Sequence, residues 1–209
     1  MIFYDCATAP SPRRARMFIA EKGITVETRQ IDLRTGEHLG AEFLALNPRG
    51  TVPVLVTDDG NVLTENLGIA AYLEARHPEP PLIGRTPDET GLIWMWTAIC
   101  EHQGGLPVAE ALRNSSPAMK DRALPGPVPY AQIPELAERG RARLGVFFDL
   151  LEERLSESRF LAGDSFSLAD LTGYVFVDFA RIVKLRIPEG HTASQDWFDR
   201  IAARPSAQA

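Results

Sequence analysis

Cysteine is scarce: the 209-residue chain holds only Cys6 and Cys100. They lie far apart and form neither a CxxC pair nor a zinc spacing, so no disulfide scaffold or metal module is expected and a reducing, cytoplasmic compartment fits. Long apolar runs are missing too. No stretch of about 18 apolar residues occurs, so no membrane-spanning helix is expected. The opening "MIFYDCATAP" lacks the charged and apolar regions of a secretory leader. Basic excess is likewise absent. With 22 Lys and Arg against 28 Asp and Glu, the net charge is −6, which argues against a surface built to neutralise nucleic-acid phosphates. What is there is a 44% hydrophobic chain, able to bury a substantial core in one or two compact units.

The chain divides by texture. Up to about His77, short apolar runs alternate with helical patterns. "MIFY" reads as a strand, and residues 12–22 as a helix closed by Gly23 just past its end. "VETRQIDL" alternates as a strand does, and "GAEFLALN" is a short helix. Strands 53–56 and 62–64 flank a "DDGN" turn, whose Asp-Gly pair is a hairpin signal. Residues 65–76 form a helix with Ile69, Tyr72 and Leu73 on one face. The order β-α-β-α-β-β-α predicts a small α/β layer around a mixed sheet. "HPEPPLIGRTPDE" then reads as a linker, and no convincing strand follows it. Three apolar helix faces do: one with Leu92, Trp96, Ile99 and Cys100, one from Leu144 to Leu155, one from Leu168 to Phe179. The expected division is residues 1–80, a linker at 81–87, and an all-helical unit over 88–209, broken by the proline-rich loop "PAMKDRALPGPVPYAQIP".

One proline is out of place. In "NPRGTVPVLVTDDGNVLTEN" Pro53 stands near the start of a strand, where it donates no ladder hydrogen bond. Val52, before it, is pushed toward extended backbone, and a cis bond is favoured if the chain bends there. Val52's peptide groups would then be free for an extended ligand. The alternative is an edge proline that only blocks aggregation. "TEN" opens the next helix, whose first N–H groups favour a bound carboxylate, while Glu65 could hold an ammonium. Together these describe the α-end of an amino acid. The plain alternative is capping by Thr64 or Asn66.

Here the residues resemble a known family. "EFLALNPRGTVPVL", "LTEN", "AAYLEARHP" and "FLAGDSFSLADL" follow the pattern of cytosolic glutathione S-transferases, and the resemblance covers nearly every segment. It implies a thioredoxin-like N-terminal domain followed by a helical-bundle domain. In the last motif, Ser167 three residues before Asp170 also has the spacing of a capping box. By resemblance Val52 meets the cysteinyl unit of glutathione, Pro53 is the cis-proline, Glu65 and Asn66 hold the γ-glutamyl end, and His38 reaches the glycine carboxylate. Asn66 departs from the usual serine; it can still donate, but it is bulkier.

Conjugation needs a thiolate, and a free thiol with a pKa of ~8.5 is mostly protonated at neutral pH. The group that stabilises the sulfur follows the first strand, in "DCATAPSPRRARMF". The chain most resembles a bacterial and fungal branch of the family without a clear catalytic Tyr, Ser or Cys. Its aligned position is Ser11, an expected N-cap with Pro12 at the first helical position, where capping and donation to sulfur can coexist. Thr8 is the second candidate. Tyr4 reads as core and Cys6 as an ordinary small residue. Arg13, Arg14 and Arg16 crowd the helix start against its dipole unless an anion lies near. "RNSSP", Arg113 to Pro117, stands where the branch tends to carry histidines. The electrophile is expected between the domains, near Trp96, Arg113 and Tyr130.

The expected function is a homodimeric, metal-free glutathione S-transferase, with glutathione as co-substrate and a small hydrophobic electrophile. No nucleic-acid or membrane partner is expected. The alternatives are a glutathione-dependent disulfide or peroxide oxidoreductase without a protein cysteine, or a non-catalytic glutathione-binding protein.

Overall fold

The structure is a computed structural model that describes residues 1–209. The N-terminal domain runs β1 (Ile2–Asp5), α1 (Pro10–Glu21), β2 (Glu27–Gln30), α2 (Ala41–Leu46), β3 (Val54–Val56), β4 (Val62–Thr64) and α3 (Asn66–Arg76). This is the expected order, and the four strands form one mixed sheet, β2-β1-β3-β4. β1 runs parallel to β2 and antiparallel to β3, which pairs antiparallel with β4. The parallel pair is joined by helix α1, the crossover such a pair requires. Helix α1 starts two residues before the expected position, at Pro10, and Gly23 at φ +63° closes it in the left-handed conformation glycine tolerates. The turn glycine of "DDGN", Gly60, is likewise at φ +82°.

The helical domain contains α4 (Pro87–Ile99), α5 (Leu106–Arg113), α6 (Pro134–Glu157), α7 (Leu168–Phe179) and α8 (Thr192–Ala202). Between α4 and α5 the periodicity slips into one π-helical stretch, Cys100–Gly105. The apolar faces of α6 and α7 are buried as their spacing requires: Leu144, Phe147, Phe148, Leu151 and Leu155 on α6, Leu168, Leu171 and Val175 on α7.

The Ser167–Asp170 start of α7 is a buried junction. The Asp170 carboxylate accepts from the Ser167 N–H at 3.0 Å, the Ser167 hydroxyl, the Leu161 N–H and the indole N–H of Trp197. Burial pushes the Asp170 carboxyl up, and those four donors pull against it. One core of 36 buried residues joins the domains: Phe3, Phe18, Ile69 and Leu73 belong to the same cluster as Phe147, Phe176 and Trp197. The two layers therefore hold one another by apolar burial, as parts of one packed interior.

Candidate active site

Strand register converges most of the expected site residues on one end of the sheet. Tyr4 pairs with Val54 in the antiparallel β1–β3 ladder, and Val54 pairs with Thr64 in β3–β4. Continuing those registers past the last paired residues sets Val52 against Cys6 on one side and Asn66 on the other. Pro53 then faces Glu65. The end of β1, the start of β3 and the mouth of α3 thus meet at one edge.

The Val52–Pro53 bond is cis, and β3 begins only at Val54. Neither peptide group of Val52 hydrogen-bonds to backbone or side chain, while its neighbour Thr51 is held through the Asn47 amide. Glu65 precedes α3 at φ +66°, ψ +137°, a region that non-glycine residues occupy at a cost of order 1–3 kcal/mol and that clusters at ligand sites. No side chain caps α3, so neither Thr64 nor Asn66 has the capping role that was the plain alternative, and the first N–H groups of the helix remain open. Asn66 is buried, yet its amide oxygen has no partner. Buried polar groups are nearly always hydrogen-bonded, so this orphan sits where a ligand group would satisfy it. The Glu65 carboxylate projects outward, 3.5 Å from the Arg49 guanidinium.

The α1 end differs from expectation. Its N-cap is Ala9 and its first helical residue is Pro10, so Ser11 is the second helical residue and not the cap. The consequence is chemical. Proline has no N–H, so Pro10 and Pro12 donate nothing, and the Arg13 N–H is used by Ala9 O. Ser11 therefore carries the one free amide at the mouth of α1, beside its own hydroxyl. The Arg14 guanidinium lies 3.5 Å from that hydroxyl. Thr8 is exposed, with its hydroxyl 3.6 Å from the Cys6 sulfur. Cys6 is buried and unpaired.

The anions that offset the arginine cluster at the start of α1 are the protein's own. Arg13 pairs with Asp178, Arg14 with Glu101 at 2.5 Å, and Arg16 with buried Asp5 at 2.5 Å. Arg14 is buried over the Phe176 ring, and burial lowers its pKa against the pull of Glu101. Nothing in the local sequence pointed to Glu101, because the π-helical stretch that presents it has no periodic signature.

His38 lies in a 3-10 turn at 37–39, 6% exposed, with Nδ1 unpartnered. A Cβ on Gly50 would come within 3.2 Å of the His38 carbonyl oxygen, so the turn packs against the segment leading to Val52. Burial lowers the imidazole's pKa, as do the nearby Arg122 and Arg113. In "RNSSP", Asn114 and Ser115 bond to their own helix at the Glu110 and Ala111 carbonyls, a polar helix end and not an imidazole substitute. Trp96 is buried beside Arg154 in the core cluster shared by the two domains, whereas Tyr130 is exposed. A surface hollow between the end of α6 and α8, lined by Ser156, Arg159, Asp196 and Arg200, includes none of these residues.

Against known proteins, the family model for the glutathione S-transferase N-terminal domain matches residues 8–76, and that for the C-terminal domain matches residues 115–205. The chain belongs to the glutathione S-transferase family. It is 39% identical to glutathione S-transferase 2 of Saccharomyces cerevisiae over its full length and 88% of that protein. The crystal structure of Gtt2 from Saccharomyces cerevisiae superposes with a TM-score of 0.90 at 38% identity, covering 100% of this chain and 99% of that one. A glutathione S-transferase domain-containing protein from Marinobacter aquaeolei VT8 gives 0.90 at 34%, with 99% of both chains covered. This family member therefore has the two-domain transferase fold throughout its length.

Proposed function

We propose that this chain binds glutathione along the cis-Pro53 edge and holds its sulfur as a thiolate for attack on small apolar electrophiles, working as a cytoplasmic homodimer. The observation that carries the reading is the unpaired peptide of Val52 beside the orphaned amide of Asn66. An extended cysteinyl backbone would use the first and the γ-glutamyl α-ammonium would donate to the second, while the open N–H groups of α3 would take the γ-glutamyl carboxylate. Glu65 would take the α-ammonium, and His38 the glycine carboxylate.

Ser11 would face the sulfur. Bringing a thiol from a pKa of ~8.5 to ~6.5 requires about 2.7 kcal/mol of preference for the thiolate. One hydrogen bond to a charged group contributes roughly 1.5–3 kcal/mol, so the Ser11 N–H or hydroxyl is of the right size, with the α1 dipole adding to it. Thr8, exposed and turned to Cys6, is the weaker candidate. The apolar electrophile would lie against Leu124, Val128 and Tyr130 of the 117–133 loop.

Calorimetry with glutathione and turnover of a model aryl halide test the reading together. Saturable binding with conjugation is expected. Absence of heat at millimolar glutathione sinks it, and binding with reduction of a small disulfide but no conjugation replaces it with the oxidoreductase alternative.

A further inference from the structure

The turn that leads into Val52 is held tightly. The buried Asn47 amide donates to the Thr51 carbonyl at 2.8 Å and to the Thr51 hydroxyl at 3.1 Å, and the Asn47 side-chain oxygen accepts from the Arg49 N–H at 3.2 Å. Gly50, at φ +59°, closes the turn by donating its N–H to the Asn47 carbonyl at 2.9 Å. Gly126 of the 117–133 loop backs the tip from the helical domain: a Cβ there would sit 3.1 Å from the Arg49 carbonyl oxygen. The backbone of Arg49 is thus fixed from both domains, three residues before the open peptide of Val52.

From this tip the Arg49 side chain crosses to the mouth of α3. Its Nη2 donates to the Thr64 hydroxyl and lies 3.5 Å from the Glu65 carboxylate. Both side chains of the ion pair are more than half exposed, and a pair so exposed contributes little to stability. What the contact supplies is order. A free glutamate loses rotamer freedom when it grips a ligand, and a carboxylate already held avoids part of that loss. The hold leaves the acid usable, because a carboxylate keeps lone pairs beyond those that one donor occupies.

We propose that Arg49 is a positioning residue for ligand selection: by bridging the Thr64 hydroxyl and the Glu65 carboxylate, it fixes the acid that receives the α-ammonium of the γ-glutamyl unit. Arg49 thereby sets how strictly the site demands an amino group there. This rests on the glutathione reading above; Arg49 acts through Glu65 and touches no reacting atom.

The test compares calorimetric Kd values in the wild type, Arg49→Ala and Arg49→Lys for three ligands: glutathione, glutaryl-cysteinylglycine, which lacks the amino group, and 4-aminobutyryl-cysteinylglycine, which lacks the neighbouring carboxylate. The wild type should prefer glutathione over the glutaryl analogue by about fivefold or more, the upper range for an ion pair at a protein surface. In Arg49→Ala that preference should fall about threefold, with the glutaryl analogue bound as in the wild type, because it offers Glu65 no ammonium. The 4-aminobutyryl analogue should weaken as glutathione does. Arg49→Lys should recover part of the preference, and the thermal midpoint should stay at the wild-type value. Equal weakening of all three ligands would make Arg49 merely structural, and weakening confined to the two that keep the carboxylate would make it a direct carboxylate contact; either overturns the assignment. A wild-type preference near one, or an unchanged preference in Arg49→Ala, overturns it with glutathione binding intact. If the wild type binds no glutathione at all, the assignment and the reading beneath it fall together.

Discussion

Ser11 shows how a site can be legible in kind and misplaced in detail. "APSPRR" offers two prolines for the first helical position, and either satisfies the preference for proline there. The helix uses Pro10, and the result is a free Ser11 amide bracketed by two residues that have none. Ser11→Ala should therefore raise the pKa of bound glutathione's thiol and lower turnover by about tenfold, less than the loss of a complete oxyanion donor, because the amide stays. Ultraviolet titration of the thiolate measures this; an unchanged pKa and rate would remove Ser11 from the mechanism. His38 carries a pH signature. Its folded pKa is depressed from a usual 6.5, so the neutral imidazole stabilises the native state above that value and the benefit is lost as pH falls. A ligand carboxylate reverses the preference, and binding then takes up a proton. Affinity for S-methylglutathione, which has no thiol to titrate, should rise about threefold between pH 7.5 and 6. The rise should vanish in His38→Gln.

Glycines set the close contacts between elements. The π-helical stretch ends in Gly104 and Gly105, where a Cβ would come within 2.6 Å of the Phe147 ring and 2.5 Å of the Phe176 ring. Phe176 can thus lie against bare backbone, and Arg14 stacks on it while pairing with Glu101 from the same stretch. Gly140 of α6 plays the same part against α5: its Cβ would meet the Pro107 carbonyl oxygen at 2.6 Å and the Ala111 nitrogen at 2.7 Å. Backbone atoms cannot step aside as a side chain can, so Gly140→Ala should cost about 1–3 kcal/mol in chemical denaturation despite its better helix propensity. At the α7 junction, Asp170→Ala would strand buried donors from three residues and should cost roughly 3 kcal/mol or more. A loss below 1 kcal/mol in either variant would contradict the packing described. The capping spacing of Ser167 and Asp170 was readable because it is local. The Trp197 partner, 27 positions away, was not.

At the scale of the molecule, ion pairs and apolar burial tie the domains. Arg13 reaches Asp178, Arg14 reaches Glu101, and Arg204 from beyond α8 grips Glu21 of α1 with two hydrogen bonds at 2.7 and 2.6 Å. Burial alone would raise Glu21, but the hydrogen bonds from Arg204 and Ser206 win and hold it below its usual 4.5. A depressed carboxylate contributes stability above its unfolded pKa and loses it as acid protonates the folded form. The thermal midpoint should therefore drop as pH falls below about 4.5, and Glu21→Gln should flatten that decline while lowering the midpoint at pH 7. A parallel acid profile in the variant would show that this contact does not hold the domains.

The sequence alone determined the element order, the two-part texture, the apolar helix faces and the open peptide before Pro53. Each depends on residues within a few positions of one another, through periodicity, turn chemistry or proline sterics. Tertiary structure decided which carboxylates answer Arg13, Arg14 and Arg16, that Trp96 is interior, that α4 slips into a π-helical stretch, and that the 117–133 loop of one domain packs its Gly126 against Arg49 of the other. Those outcomes join residues tens to more than a hundred positions apart, and only the packed core that closes the chain on itself brings them within reach.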